Sequence, residues 1–275
     1  MEFSSDVLTL TVEAHVATLW LDRPEARNAL GSALWRDLPR ACAAIDEYPE
    51  VRCVVLAARG EHFSVGLDLK ELGSSLSGSA SHPSPAAASA SSYAAVRAMQ
   101  ASVNSLADLA VPVIAAVHGY CIGGGVDLIC AADIRLASSR AVFSVRETKV
   151  AIVADLGTLQ RLPRIIGSGH VAELAFTGED VDAERAAAIG LVNSVHGDSN
   201  EDVLRAAHDL ARRIAANSPL AVKGTKAVLR AADERAIAEG LDFVARWNTM
   251  YLKSNDLAEA MSAFAERRSP VFRGD

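Results

Sequence analysis

The sequence predicts an α/β protein: stacked β-sheets with helices around them, closed by a helical C-terminal subdomain. Three observations carry the prediction. The chain has 275 residues, half of them hydrophobic, enough to bury a sizeable core as one domain with an appendage. Short aliphatic runs alternate with segments of helical spacing through most of the chain. From Glu201 onward the pattern is helical throughout, so the expected division is 1–199 for the core and 200–275 for the helical subdomain.

The elements follow in order. Residues 7–12 and 16–21 alternate like the arms of a hairpin around Glu13-Ala14-His15. Residues 32–48 bring Leu34, Leu38, Cys42 and Ile45 onto one helical face. Residues 53–57 and 113–117 read as short buried strands, and 134–136 and 141–143 as shorter, later ones. A helix is expected over 123–132, with Gly123, Gly124 and Gly125 at its N-terminus. The helical tail breaks at Ser218-Pro219 and at 253–255. Residues 73–92, GSSLSGSASHPSPAAASASS, are of low complexity and read as a long loop, and long loops in compact domains tend to be functional or disordered.

Composition narrows the function. The formal charge of −7, from 27 basic and 34 acidic residues, argues against a nucleic-acid surface. The opening MEFSSDVLTL lacks the basic and apolar regions of a signal peptide, and no apolar run has membrane-spanning length. Cys42, Cys53, Cys121 and Cys130 sit among aliphatic residues without metal-ligand spacing. They read as free thiols in a reducing compartment, and a cytoplasmic location is the expectation. The histidines lack zinc-ligand spacing, so no metal is expected.

The most informative stretch is 119–163, GYCIGGGVDLICAADIRLASSRAVFSVRETKVAIVADLGTLQRLP. Asp127 follows the glycines by two residues and precedes an apolar run, and Asp155 lies in Val-Ala-Ile-Val-Ala-Asp-Leu-Gly. An acid in apolar surroundings is costly unless it is paired, protonated or used. A glycine-rich turn that opens a helix also offers unpaired N–H groups to an oxyanion. Each residue has a structural alternative: a tight turn for the glycines, helix charge-complementation for Asp127, an N-cap near Gly157 for Asp155, a solvated charge for Glu147 between Arg146 and Lys149. Their order and joint spacing favour proton transfer beside a carbonyl.

This region resembles the signature of the crotonase (enoyl-CoA hydratase/isomerase) superfamily, and within it the dienoyl-CoA isomerases. LDRPEARNAL at 21–30 resembles the first CoA-contacting loop, and FSVGLDLKEL at 63–72 the loop that donates one oxyanion-hole N–H. PVIAAVHGYCIGGG at 112–125 resembles the strand and turn donating the other. Segments 177–195, 218–229 and 263–274 match farther on. Where this chain has Asp127 and Asp155, hydratases have glutamate and glycine; both aspartates, and the DFVARWN run at 242–248, follow the isomerase pattern. Val111 departs from it, standing where many relatives have lysine, as does the charged run Arg146-Glu147-Thr148-Lys149.

The resemblance implies a ββα superhelix and conversion of a 3,5-dienoyl-CoA to the 2,4-isomer, as in β-oxidation of fatty acids. It assigns the backbone N–H groups of Leu67 and Gly124 to the thioester oxygen, Glu147 to the proton on C2 and Asp155 to C6, with those two roles exchangeable. Asp127 would set the protonation of its neighbours. Arg23, Arg27, Lys70 and Arg273 would contact CoA, which is part of the substrate, so no separate cofactor is implied. A homotrimer or a dimer of trimers is implied, the C-terminal subdomain serving trimerisation and CoA capping. Residues 73–92 would form a flexible flap over the acyl pocket. The competing readings are an enoyl-CoA hydratase, with Glu147 and Asp127 activating water, and a non-catalytic scaffold or RNA binder; the acidic charge weighs against RNA.

Overall fold

The computed structural model describes residues 3–72 and 84–275. The first strands are β1 (Phe3–Ser4), β2 (Leu8–Glu13) and β3 (Val16–Leu21). β2 runs one residue farther than the sequence pattern predicts. The hairpin therefore closes on Ala14 and His15 alone, both at positive φ, the backbone hand that matches strand twist. Helix α1 (Ser32–Asp46) buries Leu34, Leu38, Cys42 and Ile45 as their spacing requires. β4 (Cys53–Ala58) pairs parallel with β3, and β5 (Val113–Val117) with β4.

Between β4 and β5 the structure corrects the reading of a loop through residue 92. Ser84 caps a helix, α2 (Pro85–Asp108), accepting a hydrogen bond from the Ala87 N–H. Proline at the first position and the alanines that follow are strong helix starters and formers, and they outweigh the local low complexity. Residues 73–83, the rest of the expected flap, lie outside the described residues.

The chain then makes two strands per turn. After β5 it bends at Gly119 into β6 (Tyr120–Ile122), which opens a second sheet, and runs into helix α3 (Gly124–Ala131). β7 (Ile134–Ala137) returns to the first sheet beside β5, and β8 (Val142–Ser144) to the second beside β6. Helices α4 (Thr158–Ile165) and α5 (Ser168–Thr177), strand β9 (Val181–Asp182), helix α6 (Ala183–Ala188) and strand β10 (Ser194–Val195) complete this part. The larger sheet is ordered β1-β2-β3-β4-β5-β7-β10 and the smaller β6-β8-β9. An α/β core of stacked sheets is what the alternating pattern predicts.

The parallel strands are buried on both faces. Leu19, Leu21, Val54, Leu56, Val113 and Ala115 join the main core, while Trp20, Val55, Ala57, Ile114 and Leu136 face outward. The outward face is covered by α7 (Asn200–Ala215), which lays down Val203, Ala207, Ala211 and Ala215 at four-residue intervals. Ser199 and Asp202 form a capping box at its start. Helices α8 (Pro219–Ala231), α9 (Glu234–Tyr251) and α10 (Asn255–Glu266) follow, with breaks at the two places the sequence predicts and one it does not, between Ala231 and Glu234. Among the described residues no helix is long and apolar enough to cross a membrane.

Candidate active site

Two close approaches shape the site. At Gly66 φ is +84° and an added Cβ would stand 2.7 Å from the Ile122 carbonyl oxygen, so only glycine lets this loop approach the end of β6. That approach brings together the N–H groups of Leu67 and Gly124: a Cβ on Gly66 would lie 3.4 Å from the Gly124 nitrogen, and one on Gly124 would lie 3.9 Å from the Leu67 nitrogen. Leu67 bridges to Leu30 through its neighbours, Gly66 O and Asp68 N–H, and Gly124 opens a helix. Neither N–H donates to an acceptor among the described residues. Such donors are free for an incoming oxygen.

The second approach sets Glu147 against Gly123. β8 runs in register with β6, Ser144 opposite Ile122, and a short 3-10 helix, Glu147–Val150, follows it. An added Cβ on Gly123, where φ is +51°, would lie 3.3 Å from Glu147 Oε1. The flanking cations do not neutralise this acid: Arg146 turns to Ser144 and Asp180, and Lys149 packs against Gly178. Glu147 is thus no solvated surface charge, and its Oε2 is buried without a hydrogen-bond partner among the described residues.

Leu67, Gly124, Asp127, Glu147 and Asp155 line one cavity of about 130 Å³. Trp35, Leu69, Met99, Ile122, Ile152 and Leu156 supply much of its apolar wall. Asp127 is 1% exposed. Its Oδ1 accepts a 2.6 Å hydrogen bond from the Thr158 N–H, so it caps α4 from a distance. Asp155 does not cap that helix; Gly157 holds the N-cap position, at φ +135°. The Asp155 carboxyl instead meets α9, where Asn248 Nδ2 donates to Oδ2 over 2.6 Å. Gln100 of α2 fixes the backbone there, donating to the carbonyls of Asp155 (2.7 Å) and Leu241 (2.9 Å).

Burial raises all three carboxyls. It dominates at Asp127, where Thr158 and the Arg161 cation pull the other way. Glu147 is raised by burial and then by the negative charge of Asp127 beside it. Asp155 is pushed up to about 7 by burial, against the Asn248 hydrogen bond. Three acids that cannot all ionise cheaply are suited to holding and passing protons near neutral pH.

The cations are placed less uniformly. Arg23 Nη1 pairs with Asp68 Oδ2 at 2.9 Å and is partly covered. Arg27, in a left-handed conformation at φ 52°, and Lys70, in a short helical segment, are exposed near the oxyanion N–H groups. Arg273 lines a separate cleft with Asp256 and Glu259. At the departure Val111, the buried Lys226 donates to the Val111 carbonyl (2.9 Å) and pairs with Asp133 (2.8 Å).

Sequence reasoning gave no role to Thr158, Arg161 or Asn248. Arg161, 8% exposed, lies behind Asp127 and donates to Asn104 Oδ1 over 2.5 Å. Asn248 continues the buried stripe of Leu241, Val244 and Ala245, so a polar residue on an apolar helix face is the signal that marks it.

Comparison with known proteins shows the family. The family model for enoyl-CoA hydratase/isomerase matches residues 11–275. The chain is 41% identical to the peroxisomal Δ3,5-Δ2,4-dienoyl-CoA isomerase of Arabidopsis thaliana, over 97% of this chain and 96% of the relative. It is 43% identical to the mitochondrial enzyme of that name from Dictyostelium discoideum, over 94% and 87%. The crystal structure of carnitinyl-CoA hydratase from Mycobacterium avium superposes with a TM-score of 0.81 at 31% identity, covering 99% and 100% of the two chains. The chain belongs to the enoyl-CoA hydratase/isomerase family.

Proposed function

We propose that the protein is an acyl-CoA isomerase that converts 3,5-dienoyl-CoA to 2,4-dienoyl-CoA. The observation that carries this reading is one apolar cavity lined by three carboxyls and by two N–H groups that meet no acceptor among the described residues. The relatives named as dienoyl-CoA isomerases support the same substrate class.

In this reading the Leu67 and Gly124 N–H groups hold the thioester oxygen as it gains enolate charge; one such donor is typically worth about a hundredfold in rate or more. Glu147 takes the C2 proton. Its Oε2, which meets no donor among the described residues, has a lone pair available, and burial beside Asp127 makes its ionised form a stronger base. The electron pair moves along the conjugated chain, and Asp155 gives its proton to C6, leaving double bonds at C2 and C4. Burial raises Glu147 to about 8 and Asp155 to about 7, so each holds a proton in a useful fraction of molecules at neutral pH, and Glu147 is assigned as the base on the family resemblance rather than on these values. Asp127 stays back, tied to Thr158, and tunes its neighbours.

CoA is held, in this reading, by Arg27 and Lys70 at the site loops, by Arg23 shared with Asp68, and by Arg273 from the C-terminal tail. No separate cofactor takes part. A homotrimer, alone or paired, is proposed on the exposed Phe243, Trp247, Met250 and Tyr251 of α9, an apolar face suited to another subunit. A cytoplasmic location is proposed on the four buried free cysteines alone, the two isomerase relatives carrying peroxisomal and mitochondrial names.

The test is parallel incubation with 3,5-dienoyl-CoA, followed by absorbance, and with 2-enoyl-CoA, followed by mass. The reading expects isomerisation well above hydration. Efficient hydration with the dienoyl substrate untouched would make the protein a hydratase.

A further inference from the structure

Asn248 has no place in the proton transfers above, yet it is 2% exposed and directed at one of the acids. It sits on α9, 93 residues from Asp155 in the chain. Its amide orientation follows from chemistry: Nδ2 lies 2.8 Å from the Val153 carbonyl oxygen, which can only accept, so the nitrogen faces that way. The second N–H of the same nitrogen then reaches Asp155 Oδ2 at 2.6 Å.

This has a consequence for the carboxyl. An oxygen that accepts an N–H along this line cannot carry a proton pointed at the same hydrogen. We propose that Asn248 is the positioning residue for Asp155, its amide engaging Oδ2 so that the transferable proton is confined to Oδ1, the oxygen left to the cavity. The step is then the breaking of the Oδ1–H bond as a C6–H bond forms with the trienolate electron pair, and the carboxylate left behind is stabilised by the Asn248 N–H. The same side chain bonds the Val153 carbonyl, so it orients the whole 153–155 segment, while Gln100 holds the Asp155 carbonyl from α2. Among the described residues the charged groups that face Asp155 electrostatically are Asp127 and Glu147, both acids, so its ionised form is favoured by the Asn248 side-chain donor together with its own backbone N–H.

The inference rests on the isomerase reading, and the experiment separates the two. Wild type, Asn248→Leu and Asn248→Asp are compared for kcat and KM with 3,5-dienoyl-CoA across pH. Exchange of the C2 proton with deuterium and thermal unfolding are measured beside them. A wild type that does not isomerise the dienoyl substrate defeats the isomerase reading. If it does isomerise, Asn248→Leu should lose about tenfold or more in kcat, with KM within about threefold and C2 exchange retained. Its pH limb due to Asp155 should move up by about one unit, as loss of one charge-assisted hydrogen bond implies. Asn248→Asp keeps the shape but donates only when its own carboxyl is protonated, so its activity should recover as pH falls. The positioning role is overturned if folded Asn248→Leu keeps wild-type kcat and pH limb, or if exchange and isomerisation fall together.

Discussion

Replacing Asp155 with asparagine should stabilise the fold while abolishing the reaction, and the gain should depend on pH. Asp155 rises from 3.8 to about 7 on folding, mainly through burial. Below the lower value both states are protonated and the group contributes nothing. Between the two values the unfolded chain loses its proton while the folded one keeps it, so wild-type stability falls as pH rises, and the loss is complete above about pH 7. A rise of that size corresponds to about 4 kcal/mol at 1.36 kcal/mol per unit. Asp155 is only half-buried by accessible surface, and solvent screening reduces this to about 2 kcal/mol. Asparagine is neutral and nearly isosteric, and its carbonyl oxygen can still accept the Asn248 N–H. Urea unfolding of Asp155→Asn and wild type should therefore coincide near pH 4 and diverge by about 2 kcal/mol near pH 8, with the variant the more stable. Equal stability at both pH values, or a less stable variant at high pH, would refute the claim that the site holds Asp155 at a cost. A gain in stability on removing an active-site group fits the usual trade between the two.

Other outcomes follow from the same geometry. Gly123→Ala forces a side chain into φ +51° and places its Cβ about 3.3 Å from Glu147 Oε1, so it should cost about 1–3 kcal/mol in urea unfolding and lower kcat more than it raises KM. Arg27→Ala should weaken acyl-CoA binding by about tenfold or more in calorimetry with a non-reactive analogue, one charge-assisted phosphate contact being worth about 1.5–3 kcal/mol. Arg23→Ala should weaken it less, because Asp68 already occupies part of that guanidinium; an equal loss would show that the pair opens on binding. Affinity should fall as salt rises, read in the same calorimeter.

Much of this was legible in the chain. The hairpin, α1, the buried strands and the helical tail follow from period-2 and period-3.6 patterns whose burial the fold requires. Gly66 and Gly123 were readable as glycines but not as the contacts that demand them, because those depend on how closely two distant segments pass. The helix over residues 85–92 is not legible in the sequence, because low-complexity composition obscures its Ser-Pro start. Asp127, Glu147 and Asp155 stood out as acids in or near apolar sequence. Their convergence on one cavity is tertiary information, carried by the register of β6 with β8 and the turn before α4. The tie from Asn248 to Asp155 spans 93 residues, and only its place on the α9 stripe hinted at it.

The central claim is that two carboxyls divide the proton transfer, Glu147 at C2 and Asp155 at C6. The direct measurement is deuterium incorporation at C2 of 3,5-dienoyl-CoA in heavy water, read by mass alongside conversion, for Glu147→Gln and Asp155→Asn. One base suffices for enolate formation once the oxyanion donors are in place. Asp155→Asn should therefore exchange C2 without forming product, and Glu147→Gln should do neither. Exchange lost in Asp155→Asn but kept in Glu147→Gln would reverse the two roles, and exchange kept in both would contradict the account.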